Sequence, residues 1–229
     1  MIGYLDITQA EQERLADMPV ILNMSSGLFI IPPANQVLKV ARHAYGYVNP
    51  TLPDTKILSS VFSTPPRRPI SLPFTHLDDP SLSIPLEGAD DLRRALREMT
   101  PLPGLAERPF AKTRICWYSD TPTGDFLIDY HPHIEGLFVA AGDSGHAFKF
   151  MPVIGNKIAD CIMQDCPPEF RRKWAWKPDT AFVITEDGSR GGIPGLNLGR
   201  LAKEGKTGES WSTGETQRKD RQHDKVGHK

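Results

Sequence analysis

Hydrophobic and polar positions along this 229-residue chain change period several times, and each change marks an element. The opening Gly3-Tyr4-Leu5-Asp6-Ile7-Thr8 alternates and predicts a strand already in progress at the first residues. Thr8 followed by Glu11 has capping-box spacing, so a short helix is expected to start there and to stop before Pro19. Over 27–42, GLFIIPPANQVLKVAR, two strand-like runs flank a Pro-Pro-Ala-Asn turn. Lys39 lies in the second run, where weak alternation leaves its face open; a solvated lysine on a half-exposed strand is the plain reading. Residues 43–85 are rich in Pro, Ser and Thr and predict loops and short strands. His43, Tyr45 and Tyr47 alternate, so they would share one face of an extended segment. Residues 87–99 predict the clearest helix, with Leu92, Ala95, Leu96 and Met99 at helical spacing, acids early and arginines late. It reads as scaffold.

The densest stretch runs from Arg114 to Ile154. Thr113–Tyr118 and Phe126–Tyr130 predict strands joined by a Thr-Pro-Thr-Gly-Asp turn. Gly136–Ala141 is almost wholly apolar and predicts a third strand, buried on both faces. It runs into GDSGHAFKF, and Pro152–Met163 follows as a helix with Val153, Ile154, Ile158 and Ile162 on one side. A buried strand, a glycine-rich turn and a helix N-terminus together can present backbone N–H groups to an anion or a polar ring edge. The segment EDGSRGGIPGLNLGR reads as loop, and the charged stretch 201–229 as a disordered tail.

Composition narrows the classes. Charged residues make up 24% and the formal net charge is −1, which leaves no electrostatic footprint for nucleic acid or an anionic membrane. No apolar run reaches the roughly 18–20 residues that span a bilayer, and the N-terminus has no secretory pattern. Cys116, Cys161 and Cys166 are too few for a disulfide framework, and no histidine pair stands at zinc-ligand spacing beside them. A reducing intracellular compartment is the default expectation.

The glycine loop fits neither a Walker A motif nor G-x-G-x-x-G nor a G-x-S-x-G elbow. A hydrolase built on Ser144 and His146 is disfavoured, because a nucleophile and its base converge from different segments. Cys116 is either a small buried hydrophobe or a thiolate or thioether site. Lys149 is either a surface lysine or a cation held at a binding site; the residues alone leave both open.

In combination, ICWYSDTPTGDFLIDYHP and GLFVAAGDSGHAFKFMPVIG resemble the C-terminal half of a flavin oxidase family. That family includes monomeric sarcosine oxidase, fructosyl amino acid oxidase (amadoriase), pipecolate oxidase and saccharopine oxidase. FIIPPANQVLKVARHAYGY and FRRKWAWKPD are similar to the fungal amadoriase-like branch, and the resemblance covers about residues 1–200. It implies FAD as cofactor, attached through a thioether at Cys116. It implies that Lys39 assists reduction of O2 and that Gly142, Asp143, Ser144, Gly145, His146 and Phe148 lie against the flavin. Lys149 is implied at the substrate carboxylate. His43 stands where amadoriases carry an acid four positions after the lysine, which weakens the case for a fructosyl amine and leaves pipecolate- or saccharopine-like amino acids open. Arg190 is a further candidate for the carboxylate. The implied reaction oxidises the C–N bond of a secondary amine or amino acid with O2 to give H2O2.

The family's dinucleotide fingerprint is absent, so the chain is expected to be a truncated member or one piece of a split protein. Its further partner would be a missing N-terminal half. The alternative is a non-catalytic remnant or interaction module. The expected fold is mixed α/β: an antiparallel substrate-domain sheet over 1–110, then a strand–loop–helix part of an FAD-binding domain over 111–200. The chain ends Val-Gly-His-Lys, without a Ser-Lys-Leu-type signal, and a cytoplasmic or peroxisomal location is expected.

Overall fold

The computed structural model describes residues 1–52, 69–80, 82–177 and 193–206. These fall into two compact units, one holding Met1–Cys116 with the C-terminal residues from Gly188, the other Trp117–Asp187. The sequence expectation drew its line at 110/111 and carried the second domain to 200. The structure has mixed helix and strand content with antiparallel sheets, as expected for the fold class.

The first unit begins with β1 (Ile2–Asp6), α1 (Gln9–Leu15), β2 (Ile21–Leu22), β3 (Leu28–Ala34) and β4 (Val37–Arg42). Short strands β5 (Tyr47–Val48), β6 (Pro50–Thr51) and β7 (Ile70–Ser71) follow, then α2 (Leu86–Met99) and β8 (Lys112–Arg114). Five of these strands form one sheet in the order β2-β3-β4-β1-β8, with every pairing antiparallel. The capping box at Thr8 forms as its spacing predicts: Glu11 N donates to Thr8 Oγ1, and Thr8 N donates to the Glu11 carboxylate at 2.7 Å.

One face of the sheet is the core. Leu5, Leu28, Ile30, Leu38 and Val40 are all fully buried and meet Ala89, Leu92, Ala95 and Leu96 of α2. Each such side chain contributes about 1.5–3 kcal/mol through burial. Gly3 is required by packing, because a Cβ there would lie 2.6 Å from the Phe110 ring. The Arg93 guanidinium sits 3.9 Å above that ring's centroid.

Three local expectations need correction. The β3–β4 turn is not Pro-Pro-Ala-Asn. Pro32 and Pro33 lie within β3 at a register irregularity, and the reversal is made by Asn35 and Gln36, both with positive φ. His43, Tyr45 and Tyr47 do not share a continuous extended face, since Gly46 has φ +75° and resets the parity before Tyr47. The strand expected over 113–118 is only Lys112–Arg114, so Cys116 lies beyond its end.

The second unit is smaller. An antiparallel pair, β9 (Leu127–Tyr130) and β10 (Phe138–Ala141), packs with α3 (Met151–Ile162) and α4 (Pro168–Trp174). Its core is Phe126, Ile128, Cys161, Cys166 and Trp174, with Ile154, Ile158 and Phe170 against it. Phe170 and Trp174, one helical turn apart, stack with centroids 4.4 Å apart. The inward stripe of α3 is therefore Ile154, Ile158 and Cys161; Val153 and Ile162, expected on that side, are exposed. β10 was expected to be buried on both faces. Instead Ala140 and Ala141 are exposed, and among the described residues β9 is its one neighbour in the sheet.

The described chain returns to the first unit with β11 (Leu196–Asn197), parallel to β5, and α5 (Leu198–Lys203), capped by Asn197 Oδ1 accepting from Arg200 N. The expected tail thus starts inside a helix, and 207–229 lies outside the described residues.

Candidate functional site

Strand register decides which way Lys39 faces. In β4 it stands opposite Ile31 of β3 and Tyr4 of β1, and Tyr4 stands opposite Lys112 of β8. The adjoining row reads Phe29, Ala41, Ile2 and Arg114. Directly paired residues point to the same side of a sheet. These side chains therefore lie on the face opposite the one that α2 covers. Two rows carry Lys39, Lys112 and Arg114 over Ile2, Phe29 and Ile31, with no carboxylate among them. The sequence reading passed over Lys112, Arg114 and Tyr4. The signal was available only through β8, because its pairing with β1 brings the two basic side chains beside Lys39's strand.

Lys39 is half-buried and makes no hydrogen bond or ion pair among the described residues. Arg114 Nε is buried with no hydrogen-bond partner among them. Two residues beyond, Cys116 is a free, exposed thiol. Cys116 and Lys39 also share a neighbour. The Met1 amine is pulled down to about 6 by burial first, and Cys116, Arg42, Glu87 and Lys39 all lie near enough to act on it. His43 is half-buried just past β4, its N–H donating to Gly27 O at 2.7 Å. Arg190 lies outside the described residues.

The opposite face of β4 holds a buried ion cluster. Arg42, 3% exposed, donates to Glu87 at 2.7 and 3.1 Å, to Asp91 at 2.7 Å and to Tyr47 Oη at 3.2 Å. Burial opposes its charge, but the Glu87 and Asp91 hydrogen bonds more than offset that and hold it protonated. Tyr47 is pushed far above the usual phenol range by burial and by its hydrogen bond to Glu87. This cluster ties β4 to α2, and so fixes the register that turns Lys39 outward.

In the second unit, the glycine loop is stitched to the segment before β9. Asp143 accepts from Ser119 Oγ and, at 3.2 Å, from Ser119 N, which holds its carboxyl below the usual range. Ser144, buried with φ +47°, donates to Gly142 O at 3.2 Å and accepts from Thr121 N at 3.3 Å. His146 Nε2 meets Gly124 O at 2.8 Å, and its ring stacks on Phe126 with centroids 5.1 Å apart. Gly142 has φ +76°, and a Cβ there would lie 2.6 Å from Thr121 Cγ2. Ser144 and His146 are thus each engaged with main chain. A 3-10 turn, Ala147–Phe150, separates the loop from α3. On it Phe148 is 88% exposed, and Lys149 is exposed, with Nζ 5.3 Å from the Phe150 ring centroid and no ion pair among the described residues.

Known proteins share both the sequence and this fold. L-saccharopine oxidase of Schizosaccharomyces pombe is 35% identical over 179 residues, covering 78% of this chain and 39% of its own length. Amino acid oxidase imqH of Aspergillus flavus is 36% identical over 186 residues, covering 71% of this chain and 37% of itself. The crystal structure of the deglycating enzyme fructosamine oxidase from Aspergillus fumigatus (Amadoriase II) superposes with TM-score 0.70 at 27% identity, over 92% of this chain and 46% of that one. This chain thus spans about two fifths of the length of the curated relatives it matches. The family pattern of the FAD dependent oxidoreductases matches residues 4–161, which take in most of the five-stranded sheet, Cys116 and the glycine loop, and the chain belongs to that family.

Proposed function

We propose that this chain forms part of an oxidase that uses FAD to oxidise the C–N bond of a secondary amine or amino acid, passing the electrons to O2 to give H2O2. The observation that carries the reading is the sheet face turned away from α2, where Lys39, Lys112 and Arg114 stand, half-buried, among Ile2, Phe29 and Ile31. The buried, unpartnered Arg114 Nε and the exposed Cys116 thiol beyond it add a donor and a nucleophile. Cations over an apolar floor fit a flat aromatic group that gains negative charge, and FAD fits that description.

FAD, when bound, takes an electron pair from the amine and delivers it to O2. Cys116 would hold it through a thioether, and the loop from Gly142 to Phe148 would lie against its polar ring edge. Lys39 would stabilise negative charge as it develops on oxygen; a half-buried fixed cation does this without reorganising. Lys149 would hold the substrate carboxylate, with His43 near the amine side chain and Arg190 a second carboxylate candidate. His43 in place of an acid, together with relatives named as saccharopine and amino acid oxidases, supports an amino acid over a fructosyl amine. The rest of the FAD-binding domain would come from residues outside this chain. Ala140 and Ala141 of β10 are exposed, as is Leu137 beside it at 40%, and among the described residues β10 pairs with β9 alone; this supports that reading, since a two-stranded ribbon is marginal by itself.

The test is a spectrum. The chain, joined to whatever in-frame sequence precedes it, is purified and precipitated with acid. Flavin colour that stays with the pellet, and is lost to the supernatant in Cys116→Ser, is the expected result. A colourless protein, or acid-stable flavin in Cys116→Ser, overturns the assignment.

A further inference from the structure

The second unit holds a pair of thiols that the proposed chemistry does not use. At the end of α3, Gln164 adopts φ +60°, its N–H donates to Cys161 O at 3.0 Å, and Asp165 N–H donates to Asp160 O at 2.8 Å. These are the two bonds of a Schellman motif. The motif reverses the chain, and Cys166, one residue further on, comes back into the same buried cluster as Cys161. Both are free, at 6% and 8% exposure, yet both line one cavity of about 390 Å3 together with Asp129, Tyr130 and Arg171. Arg171 Nη2 donates to Cys166 O at 3.3 Å and to Gln164 O at 3.5 Å, so a cation stands on the Cys166 side of the pair.

We propose that Cys161 and Cys166 are a redox-modifiable dithiol, reached through this cavity, that a peroxide converts to an intramolecular disulfide. The order of events follows from the surroundings. Cys161 is pushed up to about 12 by burial, by its bond to Cys166 and by the nearby Asp160 and Asp129 carboxylates, so it keeps its proton. That leaves Cys166 as the attacking sulfur; its Sγ lies 3.7 Å from Pro167 O, and Arg171 braces its main-chain carbonyl. Its thiolate attacks the O–O bond of the peroxide, giving a sulfenic acid and, after protonation, water or an alcohol. Cys161 sulfur then attacks the sulfenic sulfur and expels water. In total the two thiols lose two electrons and two protons, and the peroxide is reduced. The link closes the corner between α3 and α4 that Arg171 already braces. It does not depend on the oxidase reading, since the peroxide is supplied from solution.

The tryptic peptide Ile158–Arg171 contains both cysteines and excludes Cys116, so the wild-type chain suffices for the test. The folded chain is treated with hydrogen peroxide, denatured, alkylated and digested. The expected peptide carries no alkyl group and is lighter than the reduced peptide by two hydrogens; a dithiol reductant restores both alkylation sites. Phenylarsine oxide, which bridges close thiol pairs, is expected to bind the reduced chain and to block the change. Both thiols remaining alkylatable while Cys116 oxidises overturns the proposal. So do separate sulfinic or sulfonic products at Cys161 or Cys166 without the lighter peptide.

Discussion

Neutralising the carboxylates around Arg42 is expected to destabilise the first unit more than replacing Arg42 itself. The Arg42 side chain is 2% exposed, whereas Glu87 and Asp91 are 32% and 21% exposed. In Glu87→Gln with Asp91→Asn, the guanidinium stays charged and buried without its counter-charges. Breaking a buried pair from that side costs about 3–5 kcal/mol. In Arg42→Met, the two carboxylates are left at a position water reaches, and the methionine fills much of the space, so the loss is about 1–3 kcal/mol. The triple variant, which removes charge from both sides, is expected to recover much of the double variant's loss. Urea unfolding followed by circular dichroism measures this. With a slope of about 1–3 kcal/mol/M, a loss of about 4 kcal/mol moves the midpoint by more than about 1 M. A midpoint for Arg42→Met as low as that of the double variant, or a triple variant no better than the double, would refute the asymmetry. Stabilities within about 1 kcal/mol of wild type throughout would show that the cluster behaves as a solvated surface pair.

Other consequences are local. In the FAD-loaded full-length protein, Lys39→Met is expected to slow reoxidation by O2 far more than reduction by the amine; stopped-flow rates that fall equally in both half-reactions contradict the role. Gly3→Ala is expected to cost about 1–3 kcal/mol through overpacking against Phe110, read as a lower urea midpoint, and a smaller residue at 110 should restore it. Glu11 is held down to about 2, first by Arg108 and then by the Thr8 amide. Its folded value lies below the ordinary 4.5, so its contribution is present above 4.5 and is lost as pH falls from there toward 2. Arg108→Ala should flatten that part of the stability–pH curve, and an unchanged curve would remove Glu11 from the account.

Much of the fold was legible because local signals agree with tertiary ones. Thr8 and Glu11 announce α1, and the stripe Leu92, Ala95 and Leu96 marks α2 and its buried face. What escaped was set by pairing between distant strands. Lys39 sits in a run whose alternation is weak, since Lys39 shares its face with Ala41 and Val37; only pairing with Tyr4 and Ile31 fixes its direction. Arg114 looked like part of a longer strand from Thr113 to Tyr118, and Lys112 lay outside it. They matter through β1, a connection of more than a hundred residues. The apolar composition of β10 predicted burial that the described residues do not supply. Composition reports what a strand is built to be covered by, and not what covers it.

The glycine loop divides by what its side chains already touch. Asp143 is engaged by Ser119, Ser144 by Gly142 and Thr121, and His146 by Gly124 and Phe126. Those partners belong to the loop itself or to the 119–126 segment, so these contacts shape the loop. Phe148 and Lys149 differ: both are exposed, on a 3-10 turn that lifts them clear of α3. A motif that reads as eight equivalent positions in sequence is therefore two groups in structure, a rigid base and a presented tip. If the loop serves a ligand, the base supplies backbone geometry, through glycines whose positive φ other residues rarely adopt, and the tip supplies the charge and the ring face. An ammonium on a rigid base is a better partner for a carboxylate than one on a mobile loop, because less ordering remains to be done on binding. The same logic explains why the loop's cost in strained φ at Ser144 is sustained: its hydroxyl bonds hold the turn that presents Lys149.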